Sequence, residues 1–323
     1  MQRKKKQKSY VLQNLEEDMK EKILSTLLIV AGVGFFAVGG FFLWQKLGDY
    51  GQGDDTYMEL ADIAGSGSNT DGSGDTESVK VKDKDGDTIE IPDKKIDWES
   101  LGDYADNVKG WIYFKDPDRI NYPIMQADDN SYYLHRLYNG KKNSCGSIFM
   151  DCDNKGSLTD RNTIIYGHNM HNRSMFGSLR NFKDKSYWKD NDEFFIYTPD
   201  GKVHAYRIFA VVNTKDGTND YMYSFASDES FIEYVNRMKG KAVFPTDVKV
   251  KASDRIVTLS TCASVGSKKG KRVVVQGIEV YTGTAQEPAS WYKEDQAYGT
   301  DEEARDKGIY ESETYDGNDG VYD

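Results

Sequence analysis

Residues Ile23 to Trp44, "ILSTLLIVAGVGFFAVGGFFLW", contain no charged side chain in twenty-two positions, and no other feature constrains this chain as strongly. At about 1.5 Å rise per residue such a helix is roughly 33 Å long, the thickness of a bilayer's hydrocarbon core. A cleavable signal peptide has a shorter apolar core, and here the small residues Ala37 to Gly40 lead into further apolar residues rather than a mature N-terminus. Five basic residues lie in "MQRKKKQKSY" ahead of the run, and the flank beyond it, "QKLGDYGQGDD", is acidic. The positive-inside bias therefore keeps the N-terminus in the cytoplasm and sends everything after Trp44 outside the cell. The expected layout is a basic cytoplasmic segment over 1–22 and a single-pass transmembrane anchor over 23–44.

Residues 45–88 read as a flexible linker, because "GSGSNTDGSGDTESVKVKDKDGDT" at 65–88 is rich in Gly, Ser and Asp. At the other end, residues 285–323 form an acidic tail with no sustained apolar period, expected to be disordered. From Gln286 to Asp323 there are twelve acidic and three basic residues, so nearly all of the net charge of -11 sits there. The rest is close to neutral, which argues against a nucleic-acid partner bound by phosphate neutralisation.

Between Ile89 and Thr284 the texture changes to short β-rich runs. Strands are expected at "GWIYF", "YPIMQ", "GSIFMD", "NTIIYG", "EFFIYT", "HAYRIFAVV", "RIVTLSTC" and "KRVVVQGIEVY". Trp98, Leu101, Tyr104 and Val108 have the spacing of a short helix. The segment "SDESFIEYVNRMKGKAV" reads as another, with Phe231, Tyr234 and Val235 on one face and Ser227 or Asp228 as its cap. Many short strands with few helices imply a mainly β fold, a barrel or a sandwich.

The chemistry concentrates at strand ends. Side chains alternate along a strand, so Cys262 shares its face with Ser260, Thr258 and Ile256, which gives it small polar neighbours. The loop "ASVGSKKG" then returns the chain at Lys271, and an antiparallel hairpin would bring Arg272 beside Cys262. A nearby guanidinium favours thiolate over thiol, lowering an ordinary value of about 8.5, and could also donate to a developing oxyanion. Four histidines are available as a proton-transfer partner. His168 is the best placed, since "NTIIYGHNM" repeats the pattern of an apolar run ending in a reactive residue, with Tyr166 on its face. His171 reads as a loop residue, and His135 and His204 as surface or core residues. No metal site is expected: His168 and His171 stand three apart without the His-Glu-x-x-His pattern, and no cysteine pair has zinc-ligand spacing.

Taken together, "TLSTC" at 258–262, "YGHNM" at 166–170 and "KRVVVQG" at 271–277 resemble the signature of a sortase. The further matches "YPIMQADDNSYYL", "GSIFMD" and "YGHNMHNRSMFGSL" resemble class B, over roughly residues 89–284. The resemblance implies an eight-stranded β-barrel with an N-terminal helical extension and a helix-bearing connection between its sixth and seventh strands. It implies a membrane-anchored cysteine transpeptidase without a cofactor, with Cys262 as nucleophile, His168 as acid and base, and Arg272 stabilising the oxyanion. It also places Asn130, Leu134, Tyr166 and Ser260 along the substrate groove. Its partners would be secreted proteins carrying an Asn-Pro-x-Thr type sorting signal and an amine of peptidoglycan.

Other readings share some of these residues. A pilin-polymerising sortase would use a protein lysine as acceptor. A papain-like cysteine protease would carry its cysteine ahead of its histidine, the reverse of the order here, and a wall-binding module would need no Cys-His-Arg constellation. Cys145 and Cys152, seven apart, would lie on opposite faces of a regular strand. Both read as packing residues rather than a disulfide pair.

Overall fold

The computed structural model describes residues 78–115, 120–262 and 270–292, together with much of 19–60. The chain divides into two compact units, Met1–Gly51 and Gln52–Asp323. Within the first, helix α1 over Lys22–Phe41 has a mean hydropathy of 2.2 and is long and apolar enough to cross a membrane. It coincides with most of the expected anchor; residues 42–44 lie outside the described ones.

The second unit is built on a closed barrel of eight strands: β3 (Val108–Tyr113), β4 (Asn121–Met125), β5 (Ile148–Met150), β6 (Asn162–Tyr166), β7 (Glu193–Tyr197), β8 (Lys202–Lys215), β9 (Ile256–Cys262) and β10 (Lys271–Thr284). Each corresponds to one of the eight runs read from the sequence. The order around the barrel is β10, β8, β7, β3, β4, β5, β6, β9. Pairing is antiparallel except at β4 with β5 and at β6 with β9. Closure leaves no free edge in these strands, so backbone groups that would otherwise need water are paired. Aromatic rings fill the interior: Phe194 stacks on Phe114 at 5.1 Å and on Tyr206 at 5.0 Å, all three fully buried. Burial of each such ring stabilises by about 1.5–3 kcal/mol.

Helix α2 spans Lys185–Asp190, and α3 spans Asp228–Lys241 in the connection from β8 to β9, the sixth and seventh strands of the barrel. Ser227 caps α3, its hydroxyl accepting from the Ser230 N–H while Ser230 returns a bond to the Ser227 N–H. A reciprocal cap of this kind contributes about 1 kcal/mol. Phe231, Tyr234, Val235 and Met238 form the buried face. Tyr234 and Thr258 both accept from Gln276 Nε2, at 2.8 and 2.9 Å, and Thr258 donates to Asn162 Oδ1 at 2.7 Å. This buried polar chain fixes α3 against β6, β9 and β10. The helix expected from Trp98 is a 3₁₀ segment, Trp98–Asn107.

Two expectations fail at the domain borders. The linker does not run to residue 88, because β1 (Ser78–Lys82) and β2 (Thr88–Pro92) form an antiparallel hairpin. The alternation "VKV" and "TIEIP" supplies the strands, and Gly86, at φ 88°, supplies the turn. Before it, residues 55–60 are helical, and buried Tyr57 donates to the Gly146 carbonyl at 2.9 Å. At the other border, the tail does not begin at 285. Gln286 exchanges two hydrogen bonds with the Ile96 backbone, and Ser290 donates to Glu99. The rest of the acidic tail, from residue 293, lies outside the described residues.

Candidate active site

Two strand pairings assemble the site. In the parallel pair β6 and β9, Tyr166 stands opposite Ser260, and the Gly167 N–H donates to the Ser260 carbonyl at 3.1 Å. His168 and Cys262 each lie two residues further on, so both leave the same end of adjacent strands. Period-two alternation puts Tyr166 with His168, and Ser260 with Cys262. In the antiparallel pair β9 and β10, Arg272 stands directly opposite Cys262. The Arg272 Nη1 donates to the Cys262 Sγ at 2.5 Å.

The turn that carries His168 is packed tightly. A Cβ on Gly167 would lie 2.5 Å from the Ile148 Cδ1 and 2.7 Å from the Phe176 ring, so only glycine fits between β6 and the histidine. The His168 carbonyl accepts from the Phe176 N–H at 2.9 Å. Asn169 Nδ2 donates to the Cys262 carbonyl at 2.7 Å, tying the histidine turn to the cysteine strand.

Protonation states depart from the expectation of a lowered thiol. Burial pushes the Cys262 thiol up. Arg272 acts in the opposite direction without prevailing, and Asp216 adds to the rise. Burial likewise pushes the His168 imidazole down, to about 4. The Leu134 carbonyl, 2.7 Å from His168 Nε2, accepts from that nitrogen. Nδ1 is then the basic nitrogen. The resting pair is a neutral thiol and a neutral ring, because desolvating two charges costs more than one guanidinium returns at this site.

His168, Cys262 and Arg272 line one cavity of about 150 Å³, and so do Asn130, Leu134, Tyr166 and Ser260. All seven residues singled out in the sequence thus meet in one place. Asn130 donates to Asp151 Oδ2 at 3.2 Å and accepts from the Cys152 N–H at 2.9 Å, while the Tyr166 hydroxyl donates to the same carboxylate at 2.7 Å. Sequence reading missed the walls contributed by loops: Asp151 and Asp153 after β5, and Asp216, Thr218, Tyr221 and Tyr223 before α3. Tyr221 shares a 3.0 Å hydrogen bond with Ser260 and stacks on Tyr166 at 6.3 Å. The two tyrosines in the polar loop "DGTNDYMYS" were the available signal.

The other histidines take lesser places. His135 stacks on His168 at 5.8 Å, exposed His171 stays outside the cavity lining, and buried His204 pairs with Glu279 at 2.7 Å. Cys152 and Cys262 carry free thiols, and Cys145 is buried against Asn143.

Residues 118–280 match the sortase domain family. Sortase B of Listeria monocytogenes is 37% identical over 208 residues, which cover 63% of this chain and 81% of the relative. Among solved structures, sortase B from Bacillus anthracis superposes with a TM-score of 0.56 at 30% identity, covering 72% of this chain and 99% of the other. A Staphylococcus aureus sortase B–substrate complex gives 0.53 at 30% identity, covering 57% and 84%. The convergence of three strand ends on one cavity and these likenesses lead to one conclusion: the chain belongs to the class B sortases, cysteine transpeptidases of the kind that anchors proteins to the cell wall.

Proposed function

We propose that this enzyme cleaves an Asn-Pro-x-Thr type sorting signal after its threonine and transfers the threonyl group to a peptidoglycan amine. The Tyr166–Ser260 register, which delivers His168 and Cys262 to one cavity beside Arg272, is the observation that carries the reading. Cys262 Sγ attacks the threonyl carbonyl as its proton passes to His168 Nδ1. Arg272 donates to the oxyanion, a role that suits its permanent charge and fork geometry. The carbon–nitrogen bond then breaks, the departing amine takes the proton from His168, and a thioester remains on Cys262. The incoming amine reverses these roles, losing its proton to His168 as the thioester opens. Because thiol and imidazole rest neutral, the proton moves only as sulfur attacks, and a nucleophile kept protonated is shielded from adventitious oxidation.

Asn130, Leu134, Tyr166 and Ser260 form the groove for the signal, with Leu134 also orienting the histidine through its carbonyl. Helix α1 anchors the enzyme, with the basic N-terminus cytoplasmic and the catalytic unit outside the cell. The S. aureus neighbour is a substrate complex, which supports a peptide in the corresponding groove.

The full-length protein in detergent, given a sorting-signal peptide with hydroxylamine or an amine-bearing stem-peptide mimic, should yield a threonyl hydroxamate or a ligated product by mass spectrometry. If every amine leaves only the free threonine carboxylate, with no faster turnover, the enzyme is a hydrolase and this reading fails.

A further inference from the structure

Asp216 lies just past β8, outside the residues that the proposed chemistry uses. Strand β10 lies between β8 and β9, and in register Thr214, Arg272 and Cys262 form one row across three strands. Arg272 therefore has the thiol strand on one side and the strand leading to Asp216 on the other. Its Nη1 donates to Cys262 Sγ at 2.5 Å, and its Nε lies 2.5 Å from the Asp216 carboxylate. Only 17% of the arginine side chain and 29% of the aspartate's are exposed, so the pair is sheltered from solvent. The carboxylate's place is built from the backbone as well. The Asp216 N–H donates to the Gly270 carbonyl at 2.9 Å. Gly270 has φ of 59°, and a Cβ there would lie 3.0 Å from Asp216 Oδ2. A residue at the root of β10 thus has both a conformation and a clearance that suit glycine, and the clearance is what the aspartate occupies.

We propose that Asp216 is a positioning residue for the transfer reaction, holding the Arg272 guanidinium by Nε so that its outer edge faces the Cys262 sulfur and the carbonyl that the sulfur attacks. A long side chain with several freely rotating bonds must otherwise be ordered when the oxyanion forms, and a carboxylate bound to one edge of the fork meets that cost beforehand. The hold has a counterpart in charge: Asp216 offsets part of the guanidinium's pull on the thiol, in keeping with a nucleophile that rests protonated. This inference rests on the assignment of Cys262 and Arg272 made above.

The test uses the full-length protein, with turnover of the sorting-signal peptide and the pH dependence of Cys262 alkylation by iodoacetamide, located by peptide mass mapping. In Asp216→Asn the turnover number should fall at least tenfold with KM within twofold. The alkylation midpoint should rise by about half a unit, because the guanidinium's departure from the sulfur outweighs the loss of the carboxylate that offsets it. Asp216→Glu should recover most of the loss, and a thermal melt checks that each variant is folded. In an Arg272→Lys background the Asn substitution should cost less than a further twofold, because the group it positions is gone. An unchanged turnover number overturns the proposal, as does an equal loss in both backgrounds. A lower alkylation midpoint with unchanged turnover would mark Asp216 as a screening charge only, and also overturns it. Wild-type turnover that survives Cys262→Ala would instead defeat the assignment of the nucleophile.

Discussion

Cys152 and Cys262 are both half-buried thiols near the walls of one cavity, yet their partners differ in sign. Cys152 follows β5 between Asp151 and Asp153, and burial together with the two carboxylates pushes its thiol up to about 12. Its backbone N–H is committed to Asn130. Cys262 ends β9 opposite Arg272, whose guanidinium works against the same burial. Two thiols at strands separated in the barrel only by β6 are thus made different by what the barrel pairs them with. Of the two, only the proposed nucleophile has a cation directly across the sheet.

The largest test of that contrast is to remove each sulfur in turn. Cys262→Ala should lower turnover by about a thousandfold or more, since no other group can form the thioester. The fold should survive, because a small side chain at a strand end leaves little cavity. Cys152→Ala should stay within about threefold of wild type in the same peptide assay. Comparable losses in both would erase the distinction drawn between the two sites.

Changing the cation rather than the sulfur should have an intermediate effect. Arg272→Lys keeps the charge but not the planar fork, which serves the sulfur through Nη1 and Asp216 through Nε. A loss on the order of 10²-fold in the turnover number is expected, the scale for removing an oxyanion donor. Turnover near wild type would reduce Arg272 to a point charge and pass the oxyanion to backbone amides.

The smallest effect sharpens the comparison through the other half of the pair. His168 is held neutral by burial, its value lowered to about 4 from the ordinary 6.5. The unfolded chain therefore takes up this proton more readily than the folded one. The ring's contribution to stability is complete above about pH 6.5 and is lost as pH falls toward 4. His168→Gln should flatten the fall in urea midpoint across that window relative to wild type. Identical slopes would mean that the ring is not buried as the neutral form.

Much of this was legible in residue patterns. Short β-rich runs bounded by turn residues gave all eight barrel strands, since most of these strands are buried on both faces and are mostly apolar. Ser227 and the Phe231, Tyr234, Val235 face gave α3, since a helix packed on one side buries one stripe. The hairpin over Ser78–Pro92 escaped because its composition is that of a linker, and only pairing makes "SVKVK" a strand. Tyr57 escaped because its partners, Gly146 and Ser147, lie about ninety residues away.

The sequence by itself determined the apolar segment long enough to cross a membrane, the strand runs and the candidate site residues Cys262, His168 and Arg272, because hydrophobic pattern and side-chain chemistry are local properties. The hairpin that sets Arg272 beside Cys262 was readable too; only the tertiary structure decided that β6 runs parallel to β9 and that Asp216 grips the arginine from behind. It also reversed the expected state of the thiol. A charge's effect on a neighbour depends on how much water both have lost, and burial is a property of the closed barrel, not of any stretch of chain.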